Sequence, residues 1–557
     1  MTRERRLRTI AAAALAALGT TVGAPQPASA CGGFFCQSAP MDQAGENILF
    51  SVEGDGTLTT HIQILYQGEA DAFAWILPLP SVPTSIGVGT DELFRQLGAR
   101  TAARFTTASR TEGTCRPVPE CPYDDYAFDT AERGGGGPPS SAADAGAAPS
   151  PVTVHLREAV GPYDAAVIGS ESADALFTWL DENDYDIPDA SRPLVADYLA
   201  ARHVFVAIRL LAHASTREIQ PLVLHYAEGQ PCVPLRLTAI ATVPDMPITA
   251  YFLADRYATP NNYSRVEPTY DDVRLWREGA SYYPTYIANE VDDAGGRGFV
   301  TDYAGARPSD IDLELDSVAD LATEHAPGAF LQQLQSRGFV GDSQLLGILA
   351  RFLPPPAMYE DNPQQYYNCL WGSGGEGTHC GYVDGFDPAA LADALERQIV
   401  APRRDAQAML ARHARLTRLF TTMDAEEMTI DPTFALDAGL PDVSNVHEAT
   451  VVTECTPSHF EWSAPQRIEL PSGTTATWRE GTSYPGTDGE YCEDMSSGAF
   501  SPWTSIEVRE QTAARRAIRP AGGGPRCSTS AGASGGAGGV LFVALAAIGF
   551  AMTRRRR

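Results

Sequence analysis

The sequence predicts an α+β protein in which an antiparallel β-rich N-terminal domain is followed by a mainly helical region and a small Cys-containing β module. Short runs of β-branched and aromatic residues, separated by Gly-containing turns, dominate the first half of the chain. Amphipathic runs at helical spacing dominate from about residue 282 to residue 421. A chain of 557 residues with 44% hydrophobic residues is long and apolar enough for more than one domain.

The N-terminal α+β domain is expected over residues 31–265. It begins with a meander of strands at residues 47–53, 58–66 and 70–77, which are connected by Gly-containing turns. A surface insertion at residues 111–150 is rich in Gly, Pro, Ser and Ala, so we expect it to be disordered for most of its length. Helices are expected at residues 172–180 and 193–201, and further strands at residues 152–158, 165–168, 203–210, 219–226, 235–243 and 248–253.

The mainly helical continuation is expected over residues 266–445. Its amphipathic runs lie at residues 284–291, 328–334, 343–352 and 388–420. The small β-rich module follows at residues 446–510, and an Arg/Gly/Pro-rich linker follows at residues 511–526.

The first 30 residues have the layout of a cleavable secretory signal. Four arginines lie within the first eight residues, residues 10–19 are apolar, and Ala28-Ser29-Ala30 forms an A-x-A cleavage site. Cleavage after Ala30 would make Cys31 the first residue of the exported protein. The sequence therefore predicts a protein that is handled by the export machinery.

The last 31 residues, 527–557, have the layout of a second targeting signal. Cys527 precedes a Gly/Ser/Ala run, an apolar segment at residues 540–552 and a terminal cluster of Arg554, Arg555, Arg556 and Arg557. The apolar segment with its flanking small residues is about as long as a membrane-spanning helix, and the arginines would stay on the cytoplasmic side. A buried terminal helix is the alternative, but core helices rarely end in four arginines.

This tail resembles MYXO-CTERM, a sorting signal of myxobacteria and their relatives that consists of a Cys, a transmembrane helix and an Arg cluster. The resemblance implies that the helix is removed and that the protein is transferred to the cell surface, with Cys527 at the processing site. We therefore expect a membrane-anchored or cell-surface protein of a Gram-negative, myxobacterium-like bacterium, with the sorting machinery as a partner and the membrane contacted through the tail.

Charge and composition exclude several function classes. The formal net charge is −29, and it becomes −36 without the predicted signal and tail, which together carry eight Arg and Glu4. Such a surface repels phosphate backbones, so no nucleic-acid partner is expected. Every basic side chain other than His is Arg, which excludes Schiff-base, pyridoxal phosphate, P-loop and Ser-Lys mechanisms because these need lysine. No cofactor is predicted.

Ten cysteines in an exported chain predict disulfides. Sequence proximity favours four pairs and leaves Cys232 unpaired: Cys31 with Cys36, Cys115 with Cys121, Cys369 with Cys380, and Cys455 with Cys492. One alternative has Cys31 lipidated, which would free Cys36 for Cys232. Another has His379 and Cys380 bind zinc together with Cys369, but no second ligand cluster has metal-site spacing, so we predict a disulfide and no metal.

The segment from Tyr251 to Tyr286 is dense in aromatic residues and arginines, and we single out Tyr251, Tyr257, Tyr263 and Trp276. Such side chains could stack on a carbohydrate or contact a protein ligand. The same residues could instead pack beneath a long loop.

No residues are predicted to be catalytic, because the chain contains no H-E-x-x-H motif and no nucleophile elbow. A hydrolase site assembled from distant residues, for instance His203, His225 or His447 with nearby carboxylates, remains an alternative.

Five segments stand out as a set: Cys31-Gly32-Gly33-Phe34-Phe35-Cys36 directly after the signal, and residues 73–80, 245–250, 298–305 and 416–423. Together they resemble DUF2330, a bacterial family of unknown function. The resemblance transfers no catalytic residue. The sequence thus predicts an exported binding or structural envelope protein, with an exported hydrolase as the alternative.

Overall fold

A computed structural model describes residues 34–35, 42–67, 74–119, 152–211 and 218–486, apart from residues 184, 186, 187, 241, 374, 376, 383, 484 and 485. An eight-stranded and a five-stranded sheet pack face to face and form a sandwich, and helices cover the outer faces of both sheets. The protein is therefore built as helix, sheet, sheet and helix layers.

The strands are β1 (Phe34–Phe35), β2 (Asp42–Val52), β3 (Leu58–Gln67), β4 (Ala74–Leu79), β5 (Ser85–Val88), β6 (Arg104–Gly113), β7 (Thr153–Val160), β8 (Tyr163–Gly169), β9 (Val204–Leu210), β10 (Leu222–Tyr226), β11 (Met246–Leu253), β12 (Tyr257–Pro260), β13 (Ser264–Val266), β14 (Gly298–Ala306), β15 (Arg415–Met423), β16 (Phe434–Asp437), β17 (Val446–Cys455), β18 (Gln466–Glu469) and β19 (Thr475–Arg479).

The helices are α1 (Asp91–Thr101), α2 (Ala173–Glu182), α3 (Arg192–Ala200), α4 (Leu235–Thr238), α5 (Val273–Glu278), α6 (Tyr283–Asp293), α7 (Pro327–Ser336), α8 (Leu345–Phe352), α9 (Pro363–Ser373), α10 (Pro388–Leu395) and α11 (Ala401–Arg412). A π-helical turn, Glu396–Val400, connects α10 to α11. Short 3₁₀ turns lie at Asp189–Ser191, Gly279–Ser281, Ala319–Thr323, Ala357–Tyr359, Thr378–Cys380 and Glu461–Ser463.

The sandwich core lies between the two large sheets. The eight-stranded sheet has the order β13-β14-β15-β11-β2-β3-β10-β5, and the five-stranded sheet has the order β1-β4-β9-β8-β7. Alternate residues of each strand face the core, so Ile48 and Phe50 of β2 belong to the same apolar cluster as Trp75, Val167 and Val206 of the other sheet. Most strand pairs are antiparallel, but β2 with β11, β13 with β14 and β6 with β17 are parallel.

Helices bury the outer faces of both sheets. Helices α2 and α3 pack on the five-stranded sheet through residues such as Leu176 and Tyr198. Helices α1 and α11 pack on the middle of the eight-stranded sheet, where Leu97 and Met409 join Leu49 of β2 in one cluster. Near the β13 edge, α5, α6 and a four-stranded sheet of order β19-β18-β17-β6 cover the rest of that face.

Residues 318–400 form a separate helical excursion with its own apolar core. The excursion lies in the connection between β14 and β15, two strands that pair directly from Val300 opposite Phe420 to Ala306 opposite Arg415. Its core comes from within the same range and includes Phe330, Ile348 and Leu395. The chain thus leaves the central sheet, builds a local helical unit and returns to the neighbouring position.

The predicted fold class is confirmed. The N-terminal part is β-rich, helices follow, and the Cys-containing strands β17 to β19 come last. Strand β15 and strand β17 nevertheless pair with strands of the N-terminal part, namely with β11 and β6.

Two predicted elements are wrong. Residues 235–243 were expected to be a strand, but Leu235–Thr238 is one helical turn in which Leu235 and Leu237 are buried, a spacing that imitates strand alternation. The predicted helix at residues 388–420 ends at Arg412, and the chain continues as β15. Eight of the nine residues of β15 are buried, so no alternation marks this central strand.

The cysteine pairing differs from the prediction. A disulfide joins Cys115 to Cys455, so the predicted pairs of Cys115 with Cys121 and of Cys455 with Cys492 are wrong. The parallel pairing of β6 with β17, which sequence proximity could not indicate, places Gly113 opposite Cys455 and brings Cys115 to it. Cys232 is disulfide-bonded, so the prediction that it stays unpaired is also wrong. A second disulfide joins Cys369 to Cys380, as predicted.

Several predictions lie outside the described residues. These are the signal with Ala30, Cys31 and Cys36, most of the insertion at residues 111–150 with Cys121, the linker, and the tail with Cys527 and Arg554, Arg555, Arg556 and Arg557; Cys492 also lies there. Within the described ranges, no helix is long and apolar enough to cross a membrane.

Candidate binding pocket

A cavity of about 280 Å³ lies where the sandwich meets the helical excursion. Four segments form it: the end of β3, the start of α1, the residues before β10 and the residues before α8. It is lined by Gln63, Ile64, Leu65, Tyr66, Asp91, Ile219, Gln220, Ser343 and Gln344. This volume is close to the lower limit of known small-molecule sites. We call this cavity the junction pocket.

The carboxylate of Asp91 holds the walls of the junction pocket together. Asp91 is the first residue of α1, whose N-cap is Thr90. It accepts hydrogen bonds from Gln63 Nε2 of β3 at 2.7 Å, from Ser343 Oγ at 2.8 Å and from Gln344 Nε2 at 2.5 Å. A carboxylate at a helix N-terminus is favoured by the exposed backbone N–H groups there. One side chain thereby connects the sandwich, α1 and the helical excursion.

Gln220, one of the lining residues, has a buried acceptor that no described residue satisfies and that lies on the side of Gly161. The residue is 4% exposed, and its Oε1 is buried without a hydrogen-bond donor. Its Nε2 donates to the carbonyl oxygen of Gln398 at 2.6 Å, which fixes the orientation of the amide because a carbonyl cannot donate. The Tyr163 hydroxyl donates to the Gln220 carbonyl at 2.6 Å and also lies 2.6 Å from the Gln220 backbone nitrogen, so the backbone is held as well. An unpaired buried acceptor costs about 1–3 kcal/mol.

A buried ion pair lies behind Ser343 and Gln344. Arg403 of α11 donates to Asp342 Oδ2 through Nε at 3.1 Å and through Nη2 at 2.6 Å, and both residues are buried. Burial raises the pKa of the Asp342 carboxyl above its ordinary value, while the Arg403 guanidinium opposes the shift. This pair is neutral overall. The three donors to Asp91, by contrast, are two amides and a hydroxyl, so the carboxylate of Asp91 has no cationic partner among them.

The pocket has the chemistry of binding rather than of nucleophilic catalysis. Ser343 donates to Asp91, so a hydroxyl and a carboxylate are in contact, but the nine lining residues include no histidine that could take the serine proton. They also include no cysteine or arginine. What they offer is a set of hydrogen-bonding groups together with the aliphatic residues Ile64, Leu65 and Ile219.

The predicted aromatic ligand-stacking surface is wrong. Tyr251, Tyr257, Tyr263 and Trp276 are all buried, with at most 6% of any of them exposed. Tyr251 packs between α1 and the central sheet, and Tyr263 lies in the sandwich core. These rings stabilise the fold because each removes a large apolar area from water. The alternative interpretation, that these side chains pack beneath other parts of the chain, agrees with their burial.

The three histidines considered for a hydrolase lie in different places. His203 is buried beside Tyr198, and neither of its ring nitrogens has a hydrogen-bond partner among the described residues. His225 Nδ1 lies 3.0 Å from Thr59 Oγ1 on the eight-stranded sheet. His447 of β17 stacks on Phe105 of β6, with ring centroids 5.1 Å apart. None of the three lines the junction pocket.

A further histidine contact imitates a catalytic triad and was missed from the sequence. Ser51 Oγ lies 2.7 Å from His413 Nε2, and Glu53 Oε1 lies 3.3 Å from the same nitrogen. A relay needs the acid and the serine on opposite ring nitrogens. Ser51 is also fully buried. This cluster therefore fixes the end of α11 on β2.

Cys369, His379 and Cys380 place their ligand atoms within 4.8 Å of one another. The two sulfurs form a disulfide, so they offer no thiolate to a metal in this state. The disulfide lies in the helical excursion, where Cys380 is buried and His379 is exposed.

Sequence reasoning missed every polar residue of the junction pocket. Gln63, Asp91, Gln220 and Ser343 come from four segments that only the tertiary fold brings together. The one local signal was Thr90-Asp91 before an amphipathic run, which marks a helix start but no ligand.

A family model described as "Uncharacterized protein conserved in bacteria" matches residues 25–335, which is more than half of the 557 residues. No curated protein and no solved structure matches the chain. The matched range contains Gln63, Asp91 and Gln220 of the junction pocket, whereas Ser343 and Gln344 follow it. The description of the family assigns no activity, so none is transferred. The chain belongs to DUF2330, a family of uncharacterized proteins conserved in bacteria.

Proposed function

We propose that this protein is an exported envelope protein, held at the membrane or the cell surface, that binds a small polar molecule in the junction pocket. The observation that carries the binding role is the junction pocket with the Asp91 carboxylate in its wall, whose three hydrogen-bond donors are all uncharged. A bound molecule that donates to Asp91 would use the acceptor position that these donors leave free.

The pattern of the two termini supports the location. A cationic and apolar start with an A-x-A site favours export, and Cys527 followed by an apolar segment and four arginines favours sorting to the surface. The disulfides of the described part agree with an oxidising compartment, because such bonds are rare in the cytosol.

Surface fractionation tests the location. Three forms are compared: the wild type, Cys527→Ala and a form without residues 527–557. Each is expressed in a myxobacterial host, and surface labelling determines where it lies. We expect the wild type at the surface and the two variants displaced from it. Equal amounts of all three in the cytoplasm would disprove the location.

Ligand screening tests the binding role. Sugars, amino acids, amines and small organic acids are screened for an increase in the thermal unfolding midpoint, because a ligand that binds only the folded state stabilises it. The variant Leu65→Trp fills the pocket from a position that is 43% exposed. Val154→Trp is the matched control, since Val154 is 41% exposed on a strand away from the pocket.

We expect at least one compound that stabilises the wild type and Val154→Trp but not Leu65→Trp. If no class of compound stabilises the wild type, or if Leu65→Trp responds as well as the control does, the junction pocket is not a binding site.

A further inference from the structure

We infer that the ligand of the junction pocket is a short aliphatic molecule that carries a primary ammonium group. This inference rests on the proposed binding function and names the ligand class of the same site. It follows from three properties of the lining: its free hydrogen-bonding valences, its charge and its apolar wall.

The free valences of the pocket are mainly acceptors. Asp91 uses three of about four acceptor positions of its carboxylate, and Ser343 Oγ, which gives its proton to Asp91, keeps its own lone pairs. A matching ligand must therefore supply hydrogen-bond donors. An ammonium group supplies three donors and no acceptor.

The charge of the pocket favours a cation. The lining residues include one carboxylate, Asp91, and no basic side chain. The ion pair behind Ser343 and Gln344, Asp342 with Arg403, cancels its own charge. Because the donors of Asp91 are two amides and a hydroxyl, its negative charge is available to a ligand cation. Charge-assisted hydrogen bonds are about twice as strong as neutral ones.

The lining also includes aliphatic side chains that can contact a hydrocarbon chain. Leu65 is 43% exposed and Ile219 is half-buried, whereas the Ile64 side chain packs in the sandwich core. At about 280 Å³ the cavity suits a compact molecule rather than an oligomer. A sugar would place hydroxyl groups against Leu65 and Ile219, and a carboxylate or phosphate would face Asp91 with like charge. A short alkyl chain ending in an ammonium group matches both the carboxylate and the aliphatic side chains.

Four probes of equal chain length test this ligand class on the full exported chain: n-pentylamine, 1,5-diaminopentane, 1-pentanol and pentanoate. Dissociation constants are measured by calorimetry and by the shift of the thermal midpoint. We expect the two amines to bind at least tenfold more tightly than the alcohol and pentanoate to show no binding. Raising the salt concentration should weaken the amines and leave the alcohol unaffected, because screening acts on charge.

The variant Asp91→Asn removes the charge and keeps the shape. Loss of a charge-assisted hydrogen bond predicts that amine binding weakens by about tenfold to a hundredfold, while alcohol binding changes little. The matched control is Asp174→Asn, since Asp174 also lies in the first turn of a helix but outside the pocket. Ser343→Lys, at an exposed position of the rim, gives a second variant that should block amines by placing its own ammonium group near Asp91.

The outcomes separate the two proposals. Equal binding of the amine and the alcohol, or unchanged amine binding in both Asp91→Asn and Ser343→Lys, would overturn the ammonium class. If Leu65→Trp nevertheless abolished binding of whichever compound binds the wild type, the junction pocket would still be the binding site. Failure of all four probes on the wild type would also overturn the ammonium class, and the broader screen then decides the binding role.

Discussion

The sandwich and the helical excursion are built in opposite ways. The sandwich joins strands that are far apart in sequence, such as β2 with β11 and β11 with β15. The excursion, residues 318–400, draws its core from its own range and is closed by a disulfide between residues only 11 apart. Local contacts therefore define one unit, and long-range pairing defines the other.

This difference separates what a sequence pattern can predict from what it cannot. Amphipathic spacing needs only local sequence, so the excursion was recognisable as helical. Strand pairing depends on partners hundreds of residues away, and it decides which residues form the sandwich. The difference also predicts that the two units respond differently to deletion, to loss of a buried charge and to loss of a disulfide.

Deletion should have the largest effect. Removing residues 413–483 takes β15 out of the middle of the eight-stranded sheet, and the buried faces of β11 and β14 lose their partner. We expect no cooperative unfolding transition from this variant. Removing residues 319–396 and closing the gap with a short Gly/Ser linker should leave a folded sandwich, since the Glu396 carboxylate contacts the backbone of Val318 and the two ends lie together.

Near-ultraviolet circular dichroism and thermal unfolding distinguish these variants. If both deletions lose the cooperative transition, the excursion is an integral part of the sandwich. If removal of residues 413–483 leaves a cooperative fold, the central position of β15 is not essential. The variant without residues 319–396 should also fail to bind any ligand of the junction pocket, because it lacks Ser343 and Gln344.

The buried ion pair between the two units should have the next largest effect. Arg403→Met leaves the carboxylate of Asp342 buried without its cation, which costs about 3–5 kcal/mol of the free energy of unfolding. The double variant Arg403→Met with Asp342→Leu should recover most of this loss, because it removes both charges. Urea unfolding measures both. Equal losses in the single and the double variant would show that packing, rather than the buried charge, determines the effect.

Sequence reasoning captured the class and most elements of the fold but not its connections. Strand β2 is buried on both faces, but its apolar run is bounded by a Gly-containing turn and was recognised as a strand. Strand β15 is buried on both faces and was predicted to be helix. Cys115 and Cys455 were assigned to neighbours because nothing local indicates that β6 pairs with β17. Of the candidate site, the sequence predicted α8 but could not bring Gln63, Asp91 and Ser343 together.

The Cys115–Cys455 and Cys369–Cys380 disulfides should differ in the same sense as the two units. Replacing Cys115 and Cys455 by Ser opens a link across 340 residues and should cost about 2–4 kcal/mol, since a long loop restricts the unfolded chain most. Replacing Cys369 and Cys380 by Ser opens a link across 11 residues and should cost less. Guanidinium unfolding of both double variants without reductant gives the comparison. A larger loss for the short link would mean that the excursion limits the stability of the whole chain.

The smallest effect concerns pH and a carboxyl group of the sandwich. Asp431 follows β15, is 8% exposed and accepts from the Tyr198 hydroxyl at 2.9 Å and from the Arg236 backbone N–H at 3.1 Å. Burial raises its pKa from an ordinary 3.8 to about 6. The folded state therefore holds this proton more tightly than the unfolded state does. The resulting stabilisation is complete below about pH 4 and is lost as the pH rises to about 6.

Asp431→Asn keeps the two accepted hydrogen bonds but cannot ionise, so the loss of stability between pH 4 and pH 6 should become smaller by at most about 3 kcal/mol. Asp197→Asn is the control, because the exposed Asp197 pairs with the side chain of the same Arg236 but is not buried. Urea midpoints at pH 4, 5, 6 and 7 give the slopes. The protein without residues 319–396 should retain the wild-type slope, since Asp431 and its partners all belong to the sandwich. A flattened slope in that protein would instead assign the titration to the excursion, where burial also raises the pKa of Asp342.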